Sequence, residues 1–336
     1  MDKRLSRSFR IAVGVVLLLG GIYLGHRLLF PPLPLVGVVY WASDIDTYED
    51  SVQGVIEGLR EEGYEHGLNI HLEVKNARRE RNAAAAEFRN FQKRGARLLI
   101  TSGTVPTLIA LEVTRDSNIP IIYTNVSSPN AVGLARPAPP APLRFTGASR
   151  EVPVGEQLRF LLLARPGIKR LGILLCTATP QALANGGEAE KASPELGLVP
   201  IMRQVADDHP DTLLKTVNDL CSKHIDALFI PTDPVLVRPK NLKIICHATS
   251  KGLIPVMVSN GSSVAHGPLM AYHCDFVEMG RQSGRQAARL LQGVPLEQVP
   301  PESPNIKRVS INLKVVQDLN LLLPRQLLSQ AYKFYQ

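Results

Sequence analysis

Short apolar runs and segments of helical periodicity alternate along this chain from Leu35 onward, and this alternation limits the folds open to it. The first runs are LVGVVY, NIHLEVK, RLLIT and PIIY, and the segments between them cover 47–62, 83–94 and the residues from 105. Such alternation predicts a parallel sheet with helices on both faces. Gly63 and Gly95 stand where glycines end helices, which supports these limits. The sequence therefore predicts a βαβαβαβ unit.

A second block of the same kind follows the proline-rich stretch LARPAPPAPLRFTGAS, which we interpret as a connector too stiff and too poor in periodicity to enter the core. The strands expected here are RLGILLC, LGLVPIM, DALFIP and IPVMV, then a strand with a long helix up to Gly293, and finally RVSINL. Gly186, Gly187 and Pro194 lie in the stretch where one covering helix is due. That helix is therefore predicted to be short or broken.

The two blocks predict an α/β fold with two Rossmann-like lobes, each built on a parallel sheet. The chain has 336 residues, a length that suits two lobes better than one compact domain. We expect lobe 1 to comprise 35–146 plus 268–300, and lobe 2 to comprise 147–267 plus 301–325. Residues 326–336 are expected to form a C-terminal tail.

Residues 1–34 have the pattern of a membrane-targeting segment. Basic residues precede an apolar run over 11–24, which extends past Arg27 to Phe30. This length, about 20 residues, spans a bilayer if the Arg27 side chain reaches the interface. We expect one uncleaved transmembrane helix in the inner (cytoplasmic) membrane, with the body on the extracytoplasmic, periplasmic side. A cleaved signal peptide is the alternative, although no A-x-A pair or lipid-attachment cysteine is present.

Composition and motifs argue against several classes of function. Residues 1–34 carry +4 of the net charge of +8, and the modest remainder argues against nucleic-acid binding. The basic residues over 75–97 favour a solvated helix face over a surface for anionic lipid or a partner. No G-x-S-x-G, P-loop, G-x-G-x-x-G or H-E-x-x-H motif is present, so we expect no catalysis, cofactor or metal ion. The four cysteines have no spacing that predicts a disulfide.

Polar loops after the apolar runs are the candidate binding sites, because ligands of open α/β sheets lie beyond the carboxyl ends of the strands. These loops are WASDID, TSGT, TNVSSPN, TATP, PTDP, SNGSS and HCDF. TSGT and SSPN place hydroxyl residues before proline-led turns, so two helix starts could offer N–H groups to one anion, most naturally a carboxylate. An ordinary capped turn is the alternative explanation.

Several side chains in these loops have both a binding and a structural interpretation. Asp233 could contact a ligand ammonium or hydroxyl, or it could cap a helix. Asp275 could also contact a ligand ammonium or hydroxyl, or it could pair with a basic neighbour such as Arg281. Residues 273–275, HCD, point to alternate faces of a strand and are not expected to form a catalytic triad. Three aromatic residues could form pocket walls or belong to the core, namely Trp41, Tyr123 and Phe276.

Several longer stretches together resemble a known family. They are VQGVIEGLREEGYEHGLNIHLEVKNA, PIIYTNVSSPNAVGL, FTGAS, DALFIPTDP, GLIPVMVS, CDFVEMGRQSGRQAARLLQG and INLKVVQDLNLLLP. From about Leu35 to Pro324 the chain resembles the exported substrate-binding proteins of ABC transporters that include the tryptophan- and tyrosine-binding members. The resemblance implies the type I periplasmic-binding fold, with two lobes joined by a hinge. It also implies a small molecule held in the cleft and handed to a membrane permease.

The resemblance implies a set of ligand contacts in the loops described above. Together with Trp41, the candidate binding residues are Ser43, Asp44, Ser102, Gly103, Thr104, Asn125, Ser127, Thr232, Asp233, Asn260 and Asp275. The stretch CTATPQ departs from the family pattern, which usually has NP and a polar helix start there. The expected function is an extracytoplasmic solute-binding protein of an ABC importer that closes on an amino acid or similar small carboxylate. The alternative is a membrane-tethered sensor or interaction module with weak or no ligand binding.

Overall fold

The structure of the chain, a computed structural model, describes residues 32–43, 46–134 and 143–336. The strands are β1 Leu35–Tyr40, β2 His71–Asn76, β3 Leu98–Ser102, β4 Ile121–Val126, β5 Phe145–Ser149, β6 Arg170–Cys176, β7 Val199–Val205, β8 Ala227–Ile230, β9 Val256–Val258, β10 Met270–Cys274, β11 Lys307–Asn312 and β12 Ala331–Tyr335. The α-helices are α1 Asp46–Glu61, α2 Arg81–Lys93, α3 Thr104–Val113, α4 Val154–Ala164, α5 Pro180–Glu195, α6 Pro210–Ser222, α7 Pro239–Ser250, α8 Phe276–Leu291, α9 Leu313–Asp318 and α10 Arg325–Leu328. Short 3-10 helices cover Gly261–His266 and Leu296–Gln298.

The expected N-terminal anchor lies outside the described residues, apart from its last three positions, 32–34. Over the ranges that the structure describes, we find no helix with both the length and the apolar character needed to cross a membrane. The anchor, its orientation and its cleavage stay predictions.

The first sheet has the strand order β2-β1-β3-β4-β5, and each neighbouring pair is parallel. Helices cover both faces because the strand residues alternate between them. Val38 and Ile100 belong to the core shared with α1 and α8, whereas Val39 and Leu99 belong to the core shared with α2 and α3. The central strands are therefore buried on both sides, as the continuous apolar runs predicted.

The second sheet has the order β12-β11-β10-β9-β8-β6-β7. Its pairs are parallel except β10 with β11, which is antiparallel. Helices α4 and α5 pack on one face, and α6 and α7 pack on the other. The chain reaches β11 from beyond the carboxyl end of β10, so β11 must run in the opposite direction. The predicted parallel sheets are thus confirmed for most strand pairs, with an antiparallel pair that was not predicted.

The chain passes between the two sheet units three times, through residues 150–153, Asp275 and residues 303–306. We define lobe 1 as 32–149 plus 276–302, and lobe 2 as 150–275 plus 303–336. These limits differ from the expected ones, because β10 joins the second sheet rather than lobe 1 and β12 joins it rather than forming a tail. The supposed connector also ends early, since its last residues form β5 and are buried in the first sheet.

Helix α5 corrects the prediction of a short or broken helix. It runs without interruption from Pro180 to Glu195. Thr179 caps its start by accepting a hydrogen bond from the backbone N–H of Ala182, and Pro194 falls in the last turn. A Cβ on Gly186 would overlap the side chain of Leu175, so this glycine lets α5 lie close to β6. The glycine therefore serves helix packing rather than interrupting the helix.

Glycines bring α1 and α8 into close contact within lobe 1. A Cβ on Gly54 would overlap the carbonyl oxygen of Val277, and a Cβ on Gly280 would overlap that of Ser51. Arg281 of α8 also forms an ion pair with Glu57 of α1, with an Nη2–Oε2 distance of 2.6 Å. Helix α8 follows a strand of lobe 2, yet these contacts fix it to lobe 1.

Candidate functional site

A cleft of about 340 Å³ lies between the lobes, beyond the carboxyl ends of strands from both sheets. The volume suits a small molecule. Lobe 1 supplies the starts of α1 and α3 and the loop after β4, and lobe 2 supplies residue 150, the start of α5 and the loops after β8 and β9. The lining residues are Thr47, Tyr48, Thr104, Val105, Asn125, Ser127, Arg150, Gln181, Pro231, Thr232, Asp233, Pro234, Val237, Ser259 and Asn260.

Three other cavities lie wholly or mostly on lobe 1. One groove, formed by residues 95–98, 115–120 and 290–296 among others, lies at the amino-terminal edge of the first sheet. A second cavity lies beside β5 and residues 301–303, and a third, smaller one lies between residues 56–66 and Leu72. Because ligands of parallel sheets bind at the carboxyl ends of the strands, the cleft between the lobes is the candidate functional site.

The start of α3 forms one wall of the cleft. Its N-cap residue Gly103 has a φ of 108°, and a Cβ there would lie 2.7 Å from Tyr48 Cε1. A side chain at this position would therefore displace the Tyr48 ring. Gly103 has no side chain to cap the helix, so the first N–H groups of α3 lack a side-chain cap, and the residues that carry them, Thr104 and Val105, line the cleft. This arrangement favours an anion.

The loop after β4 contributes a second wall and departs from extended backbone. Asn125 and Ser128 have φ values of 56° and 44°, in the left-handed region. The Asn125 Nδ2 donates a hydrogen bond to the Thr47 carbonyl oxygen at 3.1 Å, so its Oδ1 points the other way. Ser128 accepts a hydrogen bond from Asn185 Nδ2 of lobe 2 at 2.6 Å. The loop therefore lines the cleft and also connects the lobes.

Arg150 supplies a positive charge that the sequence analysis missed. It follows β5 directly, and its Nη1 lies 3.5 Å from Asn125 Oδ1. Its guanidinium carbon lies 5.1 Å from the centre of the Phe276 ring, a cation–π arrangement. The carboxyl-end rule would have identified Arg150 if FTGAS had been recognised as a strand.

Asp233 belongs to the lobe 2 wall, but its carboxylate serves the backbone. The residue is 1% exposed and accepts hydrogen bonds from the N–H groups of Cys176, Val235 and Leu236 at 2.6, 2.9 and 2.9 Å. Burial raises the pKa of Asp233, and the backbone N–H donors act in the opposite direction. The side chain therefore fastens the loop after β8 to the end of β6.

The predicted site residues divide between the cleft and other places. Those that line the cleft are Thr104, Asn125, Ser127, Thr232, Asp233 and Asn260. Ser102 and Gly103 lie behind the lining, where Ser102 Oγ is 2.7 Å from Ser51 Oγ. Trp41 packs against the core between β1 and α2, Ser43 is exposed, and Asp44 lies outside the described residues.

Asp275 has a structural role in place of the predicted ligand contact. Its Oδ1 accepts a hydrogen bond from the Glu278 N–H at 3.0 Å, which caps α8. Its Oδ2 pairs with Arg308 at 2.9 Å, whereas the expected basic neighbour, Arg281, pairs with Glu57 and Glu278. Asp275 is therefore fully engaged where the chain passes from β10 to α8.

The adjacent residues His273, Cys274 and Asp275 do not form a catalytic group. His273 is buried, with Nδ1 2.8 Å from the Cys274 carbonyl oxygen and Nε2 3.0 Å from Ser310 Oγ. Burial raises the pKa of the Cys274 thiol to about 12, so the thiolate needed for nucleophilic attack is absent near neutral pH. This agrees with the expectation from strand geometry.

We predict that His273 makes the protein less stable in mild acid. Burial lowers its pKa to about 4, against about 6.5 in an unfolded chain. As pH falls from about 6.5 to about 4, the unfolded state takes up a proton that the folded state resists, and the free energy of unfolding falls by up to about 3 kcal/mol. Urea unfolding across this pH range measures the loss. The variant His273→Gln should lose less stability over the same range, and equal losses would contradict the prediction.

No group of three or more His, Cys, Asp or Glu side chains in a metal-binding arrangement is found among the residues that the structure describes. The cleft instead offers helix N–H groups, amides, hydroxyls and one guanidinium. This chemistry suits a small polar molecule, and the described lining residues include no arranged nucleophile and base.

Known proteins share this fold. The chain is 22% identical over 269 residues to the tyrosine-binding protein of Clostridioides difficile (strain R20291), covering 80% of this chain and 76% of that protein. A ligand-free, open substrate-binding protein with adhesive properties from Clostridium difficile has a TM-score of 0.80 and 19% identity, covering 90% of this chain and 100% of that one. The ABC domain from Streptococcus pneumoniae in complex with L-Trp has a TM-score of 0.71 and 20% identity, with the same coverage of 90% and 100%. The fold is thus α/β, with parallel-dominated sheets resembling type I periplasmic-binding proteins.

A family match covers almost all of the described chain. The family described as ABC transporter substrate binding protein matches residues 36–335. It is a family of solute-binding proteins rather than enzymes, which confirms both the resemblance found in the sequence and the expectation that the chain is not an enzyme. The chain belongs to the ABC transporter substrate-binding protein family.

Proposed function

We propose that this protein binds a small carboxylate-bearing molecule, an amino acid or a similar compound, in the cleft between its lobes for an ABC importer. The observation that carries the proposal is the cleft itself, where the uncapped start of α3 and the guanidinium of Arg150 border one cavity of about 340 Å³. Both features favour a carboxylate. The tyrosine-binding relative and the L-Trp complex support a ligand of this class.

The proposed mechanism is closure of the lobes around the ligand. Three chain segments connect the lobes, so a rotation needs changes in only a few backbone angles. Lobe 1 would bind the carboxylate at the start of α3, and lobe 2 would complete the cavity with Gln181 and Thr232. The contact between Ser128 and Asn185 lies beside the cleft and is the kind of contact that closure would strengthen. A permease would then distinguish the closed form from the open one.

The N-terminal segment adds a proposed location. We propose that residues 1–34 hold the protein in the cytoplasmic membrane, with the lobes on the extracytoplasmic side and the permease as the membrane partner. The support is the basic and apolar pattern of the segment. Protease added to spheroplasts, which have lost the outer membrane but keep an intact cytoplasmic membrane, should digest the lobes. Protection of the lobes from that protease would contradict this location.

A tethered interaction module without ligand is the second candidate, favoured by the anchor pattern. Its other support was an interrupted lobe 2 helix, but α5 is continuous and its second residue, Gln181, lines the cleft. The receptor for a small carboxylate therefore has the stronger support.

Thermal unfolding with a panel of amino acids and other small carboxylates tests the proposed function. A ligand at about 100 times its Kd adds about 2.7 kcal/mol to stability, which raises the melting temperature by several degrees. The variant Thr104→Trp fills the cleft and should abolish the increase. Thr212→Trp, at an exposed position on α6, is the matched control and should retain it. The absence of any increase, or an increase that persists in Thr104→Trp, would contradict the proposal.

A further inference from the structure

We infer that the cleft selects small carboxylates without an ammonium group over amino acids of the same size, with Arg150 as the residue that sets this preference. The inference rests on the proposed function and names the ligand class more narrowly. It follows from which charged groups of the cleft are available to a ligand and which are already engaged.

The carboxylate of Asp233, which lines the cleft, is already hydrogen-bonded to the protein's own backbone. Among the described lining residues, the charged side chains are Arg150 and Asp233. Both carboxylate oxygens of Asp233 accept backbone N–H groups, and the residue is 1% exposed. An ammonium group that bound Asp233 would compete with these short hydrogen bonds. Asp233 is therefore a poor counter-ion for an amino acid.

Two acidic residues near the cleft, Glu151 and Asp275, have partners within the protein. Glu151 accepts a hydrogen bond from Ser128 Oγ at 3.0 Å, at the contact between the lobes. Asp275 caps α8 and pairs with Arg308. Neither residue lines the cavity. Among the described lining residues, none offers a carboxylate that is free to receive an ammonium group.

The positive charge of Arg150 is available. Its side chain forms no ion pair among the described residues, and its side-chain hydrogen bond to Asn125 Oδ1 is long, at 3.5 Å. A guanidinium has five N–H donors in a fixed plane, so most of them remain for a ligand. Asn125 and the Phe276 ring restrict where the guanidinium lies, and a carboxylate can bind it through two parallel hydrogen bonds.

The ammonium of an amino acid is attached next to its carboxylate, so it cannot move far from a guanidinium that binds the carboxylate. Closure of the lobes would remove water from this ammonium without a counter-ion from the described lining residues, and the adjacent guanidinium would repel it. A compound that has hydrogen in place of the amino group avoids both penalties and keeps the carboxylate contact.

Calorimetric titration of the full chain with matched ligand pairs tests this inference. The pairs are L-tyrosine and 3-(4-hydroxyphenyl)propanoate, L-tryptophan and indole-3-propanoate, and L-glutamate and glutarate. For the pair that binds, we expect the compound without the amino group to bind about tenfold tighter or more, a difference of about 1.4 kcal/mol. Arg150→Gln should weaken the binding of the compound without the amino group by at least a similar factor. The Kd values of the two compounds in the pair should then become similar. Arg150→Lys should retain part of the preference.

Equal or tighter binding of the amino acid would overturn the inference while leaving the proposed function intact. In that case the variant Asp44→Asn tests whether Asp44, which lies outside the described residues, is the counter-ion of the ammonium. An amino acid that loses its advantage in this variant is bound through Asp44. Failure of every pair to bind, in a chain that unfolds cooperatively, overturns both this inference and the proposed function.

Discussion

Replacing Gly280 with alanine should lower the free energy of unfolding by about 3 kcal/mol, at the upper end of overpacking costs. A Cβ at this position would overlap the carbonyl oxygen of Ser51 and lie 2.9 Å from the Cα of Gly54. Both obstacles are backbone atoms of α1, so no side-chain rotation relieves the overlap. Helices α1 and α8 would have to move apart, and the buried contacts between them would weaken. Urea unfolding of the purified protein measures the change.

The matched control is Gly187→Ala on α5. This glycine is also inside a helix, but a Cβ there meets no atom within 4 Å. Alanine has the higher helix propensity, so the control should gain about 0.5–1 kcal/mol. If Gly280→Ala does not lower the free energy of unfolding relative to Gly187→Ala, then α1 and α8 are not packed as described. The contact matters for the proposed closure because it should make α8 move with lobe 1.

Replacing Asp233 with alanine should also lower the free energy of unfolding by about 3 kcal/mol. The substitution leaves buried N–H groups without an acceptor, at a cost of about 1–3 kcal/mol each, and the loop can relax only in part. The groups concerned are the N–H of Cys176, Val235 and Leu236. Asp233→Asn keeps one acceptor oxygen and should lose less. Thermal or urea unfolding without ligand measures both variants.

Asp208→Ala is the control for the Asp233 variants. Asp208 pairs with Arg238 and Lys240, whose side chains are exposed, so its removal should change stability much less. Equal losses at the two positions would contradict the role assigned to Asp233. If Asp233→Ala also weakens ligand binding, a displaced loop is sufficient to explain it. The variant Thr104→Trp is therefore the better test of the cleft.

Elements defined by local sequence were predictable. The alternation of apolar runs and helical segments predicted most strands and most helices, because burial on both faces of a parallel sheet requires continuous apolar runs. Gly63, Gly95 and Gly293 all have positive φ at helix ends, as their positions predicted. Such features depend on residues close in sequence, so the chain alone defines them.

Long-range pairing was not predictable in the same way. Nothing within Met270–Cys274 shows that β10 pairs with β9 rather than with a strand of lobe 1. Tyr332 and Phe334 are exposed, so β12 lacked the apolar pattern of a buried strand. The packing of Gly186 against Leu175 explains why α5 continues through a sequence of low helix propensity. In each case a tertiary contact outweighs the local signal.

The site was predicted in part for the same reason. The carboxyl-end rule identified lining residues such as Thr104, Asn125 and Thr232. It could not separate side chains that face the cleft from Ser102 and Asp275, which follow strands but bond within the protein. It missed Arg150 because β5 lies at the end of a proline-rich stretch.

A crystal structure of the protein with the tightest-binding compound of the ligand panel tests the central claim most directly. We expect the ligand in the cleft between the lobes, with its carboxylate at hydrogen-bonding distance, about 3 Å, from the guanidinium of Arg150 or the first N–H groups of α3. The lobes should lie closer together than in the same crystal form without ligand. A ligand bound outside the cleft, or one that leaves both Arg150 and the start of α3 uncontacted, would contradict the account.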